Sequence, residues 1–186
     1  MNLVATVLTA LGTVFAAFAA WKASESTEHI AALQAVAQFN AIINSNSRAG
    51  ACIKMLEASH NQRAEERMLE KKPFDIEVID KQTTARCLQE KVDSLTGDKT
   101  IVSGEQSDII FQQIFNYLNG YEAILLYWLE GKGNKQLICA QVFPGFSEHV
   151  RLIVGELKNL PNNVTAQRIL DGVPAVTKFM DIRSCQ

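Results

Sequence analysis

The sequence predicts an all-α protein in which an N-terminal transmembrane helix continues into a soluble helical bundle. The first observation is that residues 1–21 contain no Asp, Glu, Lys or Arg, although the 186-residue chain carries 18 basic and 20 acidic residues. The second is that apolar residues after this segment recur at helical spacing, in stretches that Gly and Pro separate. We therefore divide the chain into an anchor, residues 1–22, and a helical soluble domain, residues 23–186.

The N-terminal segment has the length of a membrane span. A helix over residues 1–21 rises about 31 Å, the thickness of a bilayer's hydrocarbon core. Trp21 and Lys22 follow where an interfacial aromatic ring and a snorkelling cation belong. No Lys or Arg precedes the apolar run, which is also long for a signal peptide, and both facts favour an uncleaved anchor.

Two alternatives to the anchor stay open. Ala17-Phe18-Ala19 offers the small-x-small pattern at which a signal peptide is cleaved, which would leave a secreted domain. A buried helix of a larger assembly is the other. For an anchored chain, Lys22 is the nearest cation and follows the span. The positive-inside rule then predicts a single-pass protein of the cytoplasmic membrane, with the bulk of the chain in the cytoplasm.

Small residues form a ridge along the predicted span at Gly12, Ala16 and Ala20. Small residues four apart let two membrane helices approach closely, so this ridge is a candidate face for self-association. An alanine-rich helix also produces such spacing by chance.

The first helix continues past the span. Neither Pro nor Gly interrupts residues 22–48, and Leu33, Val36 and Ile43 keep a helical period, so a helix is expected to reach about Asn44. Gly50 permits a break, after which residues 52–56 start another helical stretch. Residues 62–72 are dense in charge and are interpreted as a solvated helix face or loop.

The middle of the chain gives mixed signals. Residues 74–80 alternate apolar and acidic residues, as a strand does, but a helical period extends to Leu95, and we predict helix over residues 74–95 with a stop at Gly97. Residues 98–104 are predicted to be a loop. Ser103 and Gln106 have the spacing of a capping box, which starts a helix over about 105–130 that Gly131 ends.

Shorter helices are predicted for the last third. Residues 135–142 are helical and Pro144-Gly145 breaks the helix. Another helix follows, whose apolar positions are Phe146, Val150, Ile153 and Leu157. Two short helices, 164–171 and 175–182, complete the chain.

Glu122 is the unusual position of the sequence. On a helical wheel it lies in the middle of the most apolar sector of the 105–130 helix, with Asn119 at the edge of that sector, so both are candidate buried polar or switch positions. A buried carboxylate has to be paired, hydrogen-bonded or neutralised. Arginine is the usual partner, and the candidates are Arg48, Arg86, Arg151 and Arg168. A structural role in helix docking, a ligand- or proton-sensitive switch and acid–base catalysis remain open for Glu122.

The segment Leu118-Asn119-Gly120-Tyr121-Glu122 resembles the Leu-Asn-x-x-Glu element of uncharacterised bacterial proteins that join one N-terminal span to a soluble helical domain. The resemblance covers the span and roughly residues 105–130. It implies a membrane-anchored helical protein and supplies no catalytic residue.

We find no motif for catalysis, cofactors or metals. The chain lacks HExxH, Walker A, GxGxxG and GxSxG patterns, and His29, His60 and His149 do not have metal-ligand spacing. A net charge of −2 predicts no attraction for nucleic acid. The spacing of the four cysteines suits unpaired thiols in a reducing compartment, and it leaves two long-range disulfides open.

The expected function is therefore non-enzymatic: a single-span anchor presents a helical domain that binds another protein or itself. One alternative is a membrane-acting effector, such as a toxin or defence protein, that oligomerises through the small-residue ridge. A second alternative is the secreted helical domain left after signal-peptide cleavage. A third is a hydrolase or transferase that uses Glu122 as its acid or base.

Overall fold

One long helix, α1, begins the chain. The computed structural model describes residues 2–58, 62–131 and 134–182, and for residues 2–21, 25 and 62 it describes the backbone alone. α1 runs from Asn2 to Ser45 without a break, so the predicted continuation of the first helix is confirmed. The boundary predicted between anchor and domain therefore lies inside a continuous helix.

The described chain is mostly helical, in agreement with the predicted class, and it contains one small sheet. The helices that follow α1 are α2 (Ala49–Ala58), α3 (Gln62–Leu69), α4 (Lys81–Leu88), α5 (Gly104–Leu129), α6 (Lys135–Gly145), α7 (Arg151–Lys158), α8 (Val164–Gly172) and α9 (Pro174–Phe179). A 3₁₀ turn covers Val92–Ser94. The strands are β1 (Phe74–Glu77) and β2 (Lys99–Val102), which pair antiparallel with Phe74 opposite Val102.

The helix predicted over residues 74–95 is wrong, as is the loop predicted over 98–104. In β1 the burial alternates, with Phe74 and Ile76 buried and the two acidic residues exposed. The two-residue period was therefore the correct signal. Only residues 81–88 form an α-helix, which Asp80 caps by accepting from the amide of Gln82 and which ends where Gln89 adopts a φ of +57°.

Two predicted helix breaks are also wrong. Gly50 lies inside α2, because the chain already turns at residues 46–48. Pro144 does not end its helix, although it lacks the N–H that would bond four residues back. The helix widens instead into a π-helical turn, Phe146–Val150, in which the amide of Arg151 donates to the carbonyl of Phe146, and continues as α7.

α5 lies at the centre of the fold and was predicted almost to the residue. The Ser103–Gln106 capping box is present, and Gly131 has the positive φ expected just after the helix. α5 packs against α1, α2, α3, α6 and α9. At Gly120 an added Cβ would lie 2.8 Å from the Ile42 side chain, so this glycine allows α1 to pack closely.

One helical run in the described part of the chain, Lys135–Lys158, is long and apolar enough to cross a membrane by length and composition. It consists of α6, the π-helical turn and α7. Ile138, Val142, Phe146 and Val150 are completely buried along it. One side of the run therefore faces the core, and the run is weak support for a membrane span.

Disulfides connect distant parts of the domain. Cys52 on α2 is bonded to Cys87 on α4, and Cys139 on α6 is also disulfide-bonded. The expectation of unpaired thiols is therefore wrong for these three residues, and one of the two long-range disulfides that the sequence left open is present between Cys52 and Cys87. Cys185 lies outside the described residues.

Candidate functional site

One candidate site is the side of α1 that points away from the domain. From Ala32 onwards the opposite side of the helix is buried, and Phe39 packs its ring against Tyr121 of α5 with the centroids 4.9 Å apart. Before Ala32, the described side chains of residues 22–30 are exposed on all sides. On the outward side, Ile30 and Leu33 are apolar yet 53% and 48% exposed. We call this side the outward face, and its described members are all exposed: Ala23, Ser26, Ile30, Leu33 and Ala37.

The outward face has coiled-coil spacing. Its residue numbers increase by three and four in alternation, which is the spacing of the a and d positions of a heptad repeat. Continued towards the N-terminus, the same register reaches Gly12 and Ala16, while Ala20 falls beside it. The side chains of these three residues, and that of Trp21, lie outside the described part; Lys22 is exposed.

Glu122 forms a second candidate site, deep between α5 and α9. Its side chain is only 7% exposed. The carboxylate accepts hydrogen bonds from the amides of Ala175 at 3.0 Å and Val176 at 2.9 Å. These amides belong to the first turn of α9, where Val173 provides no side-chain cap and Pro174 has no N–H. Glu122 therefore caps α9 from another helix.

The remaining expectations about Glu122 need correction. In the described part of the chain its partners are backbone amides, and none of the four candidate arginines bonds to it. Asn119, predicted as a second buried polar position, is exposed. The geometry is that of a structural contact between helices; the switch role stays a prediction.

A polar cleft lies between α2, α4 and the π-helical turn. It has a volume of about 360 Å³, and its lining residues are Ser47, Gly50, Ala51, Lys54, Asp80, Gln82, Thr83, Arg86 and His149. The Cys52–Cys87 disulfide ties the two helices that form its walls. Its shape is therefore held by a covalent bond as well as by packing.

His149 lies at the inner end of this cleft, in the π-helical turn. Its Nδ1 is 3.4 Å from the hydroxyl of Tyr117, which is 3.3 Å from the hydroxyl of Tyr121. Gly50 leaves the space that the imidazole occupies, since an added Cβ would lie 2.9 Å from Nε2. Burial lowers the pKa of His149 and raises the pKa values of both tyrosines, so all three side chains are neutral at pH 7.

A second buried carboxylate, Glu65, lies on α3 and is 5% exposed. Its Oε2 atom has no hydrogen-bond partner among the residues that the structure describes. Burial, together with the smaller effects of the neighbouring Glu156 and Glu66 carboxylates, raises its pKa from 4.5 to about 7. Glu65 thus holds a proton in the neutral range.

Sequence reasoning missed both His149 and Glu65. Glu65 was read as part of a solvated charged run, although Met68 and Leu69 lie three and four residues later on the buried face of the same helix. That spacing was the available signal. For His149 the signal was the pair Tyr117 and Tyr121, one turn apart on α5, but nothing local connects them to a histidine beyond the next loop.

Comparisons with protein-family models, with curated proteins and with solved structures find no match for this chain. The resemblance of the Leu-Asn-x-x-Glu element therefore stays a prediction, and the function has to be argued from the geometry.

Proposed function

We propose that this chain is a non-enzymatic, membrane-anchored helical protein that associates with a second copy of itself through the outward face of α1. The observation that carries the proposal is the exposure of Ile30 and Leu33 on a helix whose opposite side is buried in its own domain from Ala32 onwards. An isolated apolar residue on a surface needs no partner, but two at heptad spacing on a projecting helix are typical of a coiled-coil seam.

A second copy fits this face better than an unrelated partner. Two chains anchored in one membrane present parallel α1 helices, so identical residues meet along the seam. Ile30 and Leu33 take the a and d positions, and a β-branched residue at a with leucine at d favours parallel dimers. Gly12 and Ala16 continue the register with small residues, which are what membrane helices use for close approach.

The disulfides support a location on the oxidising side of the membrane. Structural disulfides persist in extracytoplasmic compartments and are rare in the cytoplasm. Lys22 alone favours the opposite orientation, but a single cation is a small bias. The proposal therefore places the domain outside the cytoplasm, whereas the charge rule predicts the inside.

The test is the oligomeric state of the full-length chain in detergent, measured by analytical ultracentrifugation. We expect a dimer for the unmodified chain and a monomer for the double variant Ile30→Glu with Leu33→Glu, because two charges at the seam repel their copies. The matched control is Ser24→Glu with Gln38→Glu, which adds two charges to exposed positions of α1 away from the seam. A monomeric unmodified chain, or equal behaviour of the two double variants, would refute the proposal.

A secreted domain is the second candidate, because the same disulfides also suit a protein released from the membrane. Mass spectrometry of the mature N-terminus separates the two. A chain that starts at Ala20 establishes secretion, and an intact N-terminus that stays in the membrane after carbonate washing establishes the anchor.

A further inference from the structure

We propose that the cleft between α2, α4 and the π-helical turn binds a soluble oxyanion, a phosphate or carboxylate group, between the Arg86 guanidinium and the His149 imidazole. The observations are the preformed walls, the orientation of His149 and the pairing of the charges around the cleft. This site is separate from the outward face of α1.

The cleft is formed before any ligand arrives. The disulfide fixes α2 against α4, and Gly50 and Tyr117 hold the imidazole from two sides. A volume of about 360 Å³ lies at the lower end of the range for small-molecule sites. A preformed site loses little conformational entropy when a ligand binds.

The imidazole can present a hydrogen-bond donor to the cleft. When the Tyr117 hydroxyl donates to Nδ1, the neutral ring carries its proton on Nε2. Nε2 is 3.9 Å from the Glu148 carboxylate, beyond hydrogen-bond distance. This N–H is therefore available to an acceptor in the cleft.

Among the described residues that line the cleft, Arg86 is a cation without a partner. Glu148 accepts from the Lys54 ammonium at 2.6 Å, and Asp80, which stays charged, directs its two carboxylate oxygens to the Gln82 amide and the Thr83 hydroxyl. Arg86 lines the same cleft and has no hydrogen-bond or ion-pair partner within the described residues. Because a guanidinium binds carboxylate and phosphate oxygens through two parallel N–H groups, an oxyanion is the ligand that these donors fit.

The position of the cleft indicates a soluble ligand. Ser47, just beyond the C-terminal end of α1, lines the cleft. The helical rise from Lys22 to Ser45 is about 35 Å, so lipid headgroups of the membrane that holds the span lie too far away. This step rests on the anchor in the proposed function, whereas binding itself does not, and the two can fail separately.

The experiment follows the His149 imidazole by NMR in the full-length chain while sodium phosphate or sodium acetate is added at constant ionic strength. We expect a saturable shift and a higher His149 pKa with at least one of the two anions, because a bound anion favours the imidazolium ion. His29, which is exposed on α1, serves as the internal reference and should not move. A shift that stays linear for both anions up to 50 mM, or that His29 shares, would overturn the proposal.

Two variants locate the site. Arg86→Gln should weaken binding about tenfold or more, since it removes the charged fork from an exposed position. Arg168→Gln is the matched control, an exposed arginine on α8 that does not line the cleft, and should bind like the unmodified chain. Equal affinity in both variants would overturn the assignment to Arg86.

In nanodiscs without added anion, a His149 shift that requires phosphatidylglycerol would overturn the soluble source.

Discussion

Glu65 and Glu122 are both buried carboxylates, and the fold satisfies only one of them. Glu122 receives two backbone amides from α9, whereas Glu65 has an oxygen without a partner and lies near two further carboxylates. Burying a carboxylate without compensation is costly, so Glu65 takes up a proton instead. The two residues should therefore respond to substitution in opposite ways.

Glu65→Gln should stabilise the protein at high pH. The folded-state pKa of about 7 lies above the ordinary value of 4.5. Below pH 4.5 Glu65 is protonated in both the folded and the unfolded state, so its burial does not lower the stability of the protein there. As the pH rises through 7, Glu65 loses its proton in the folded state and the protein is less stable. Glutamine mimics the protonated carboxyl, so the variant should match the parent at pH 4 and exceed it at pH 8.5 by on the order of 2 kcal/mol in urea unfolding. Glu66→Gln, an exposed neighbour on the same helix, is the control and should show a much smaller gain. Equal pH profiles for Glu65→Gln and the parent would contradict this.

Glu122→Gln should destabilise the protein by roughly 2–3 kcal/mol, because the amide nitrogen of glutamine would face a backbone N–H and leave one buried donor unpaired. The measurement is urea unfolding at pH 7, and Asn119→Ala, at an exposed position one turn earlier on α5, should change little. A Glu122→Gln variant as stable as the parent would show that α9 docks without this carboxylate. Loss of stability would also count against a catalytic role for Glu122.

At the scale of elements, the disulfide between α2 and α4 is a covalent constraint on the cleft. The bonded cysteines are 35 residues apart, and a crosslink over such a loop lowers the entropy of the unfolded chain. The contact between α2 and α4 also carries most of the cleft's lining residues. Loss of the bond should therefore affect stability and ligand binding together.

The double variant Cys52→Ala with Cys87→Ala should unfold at lower urea concentration, with a stability loss of roughly 2–4 kcal/mol. Alkylation and mass spectrometry should find Cys139 still protected, which separates this effect from general misoxidation. Unfolding that coincides with that of the parent would show that packing alone holds the two helices.

Elements whose signals are local could be predicted from the sequence. The capping box of α5, the glycine after it and the Asn163 cap of α8 all act within a few residues, so α5 and α8 are found close to their predicted bounds. The strand β1 was harder to predict than these helices, because its pairing partner β2 follows more than twenty residues later. Sequence rules predict a helix break at Pro144, because proline lacks the N–H that an α-helix needs, but the helix continues through a π-helical turn instead.

The candidate sites, too, could be predicted only where their signals are local in the sequence. The burial of Glu122 follows from the period of one helix, but its partner does not, because backbone amides of α9 leave no mark in the sequence. The cleft combines residues of α2, α4 and the π-helical turn, so only the tertiary fold assembles it. The outward face of α1 could be identified only once the structure showed which side of the helix is buried.

At the scale of the whole molecule, all three described cysteines are disulfide-bonded. A domain built this way should fold in an oxidising compartment. In cells, the cysteines of the full-length chain should therefore resist maleimide labelling unless a reductant is added first. Rapid labelling without reductant would place the domain in the cytoplasm and leave the charge rule as the better guide to topology.

The continuity of α1 has a mechanical consequence. A helix without a hinge acts as a lever, and α1 has none between Asn2 and Ser45. A bilayer thinner than the apolar segment makes a spanning helix tilt. For the membrane-anchored chain that we propose, a tilt of about 10° at the membrane would displace the distant end of α1, about 35 Å away, by roughly 6 Å. Membrane thickness would thus be converted into sideways motion of the domain, and in a pair of chains into a change of the distance between the two clefts.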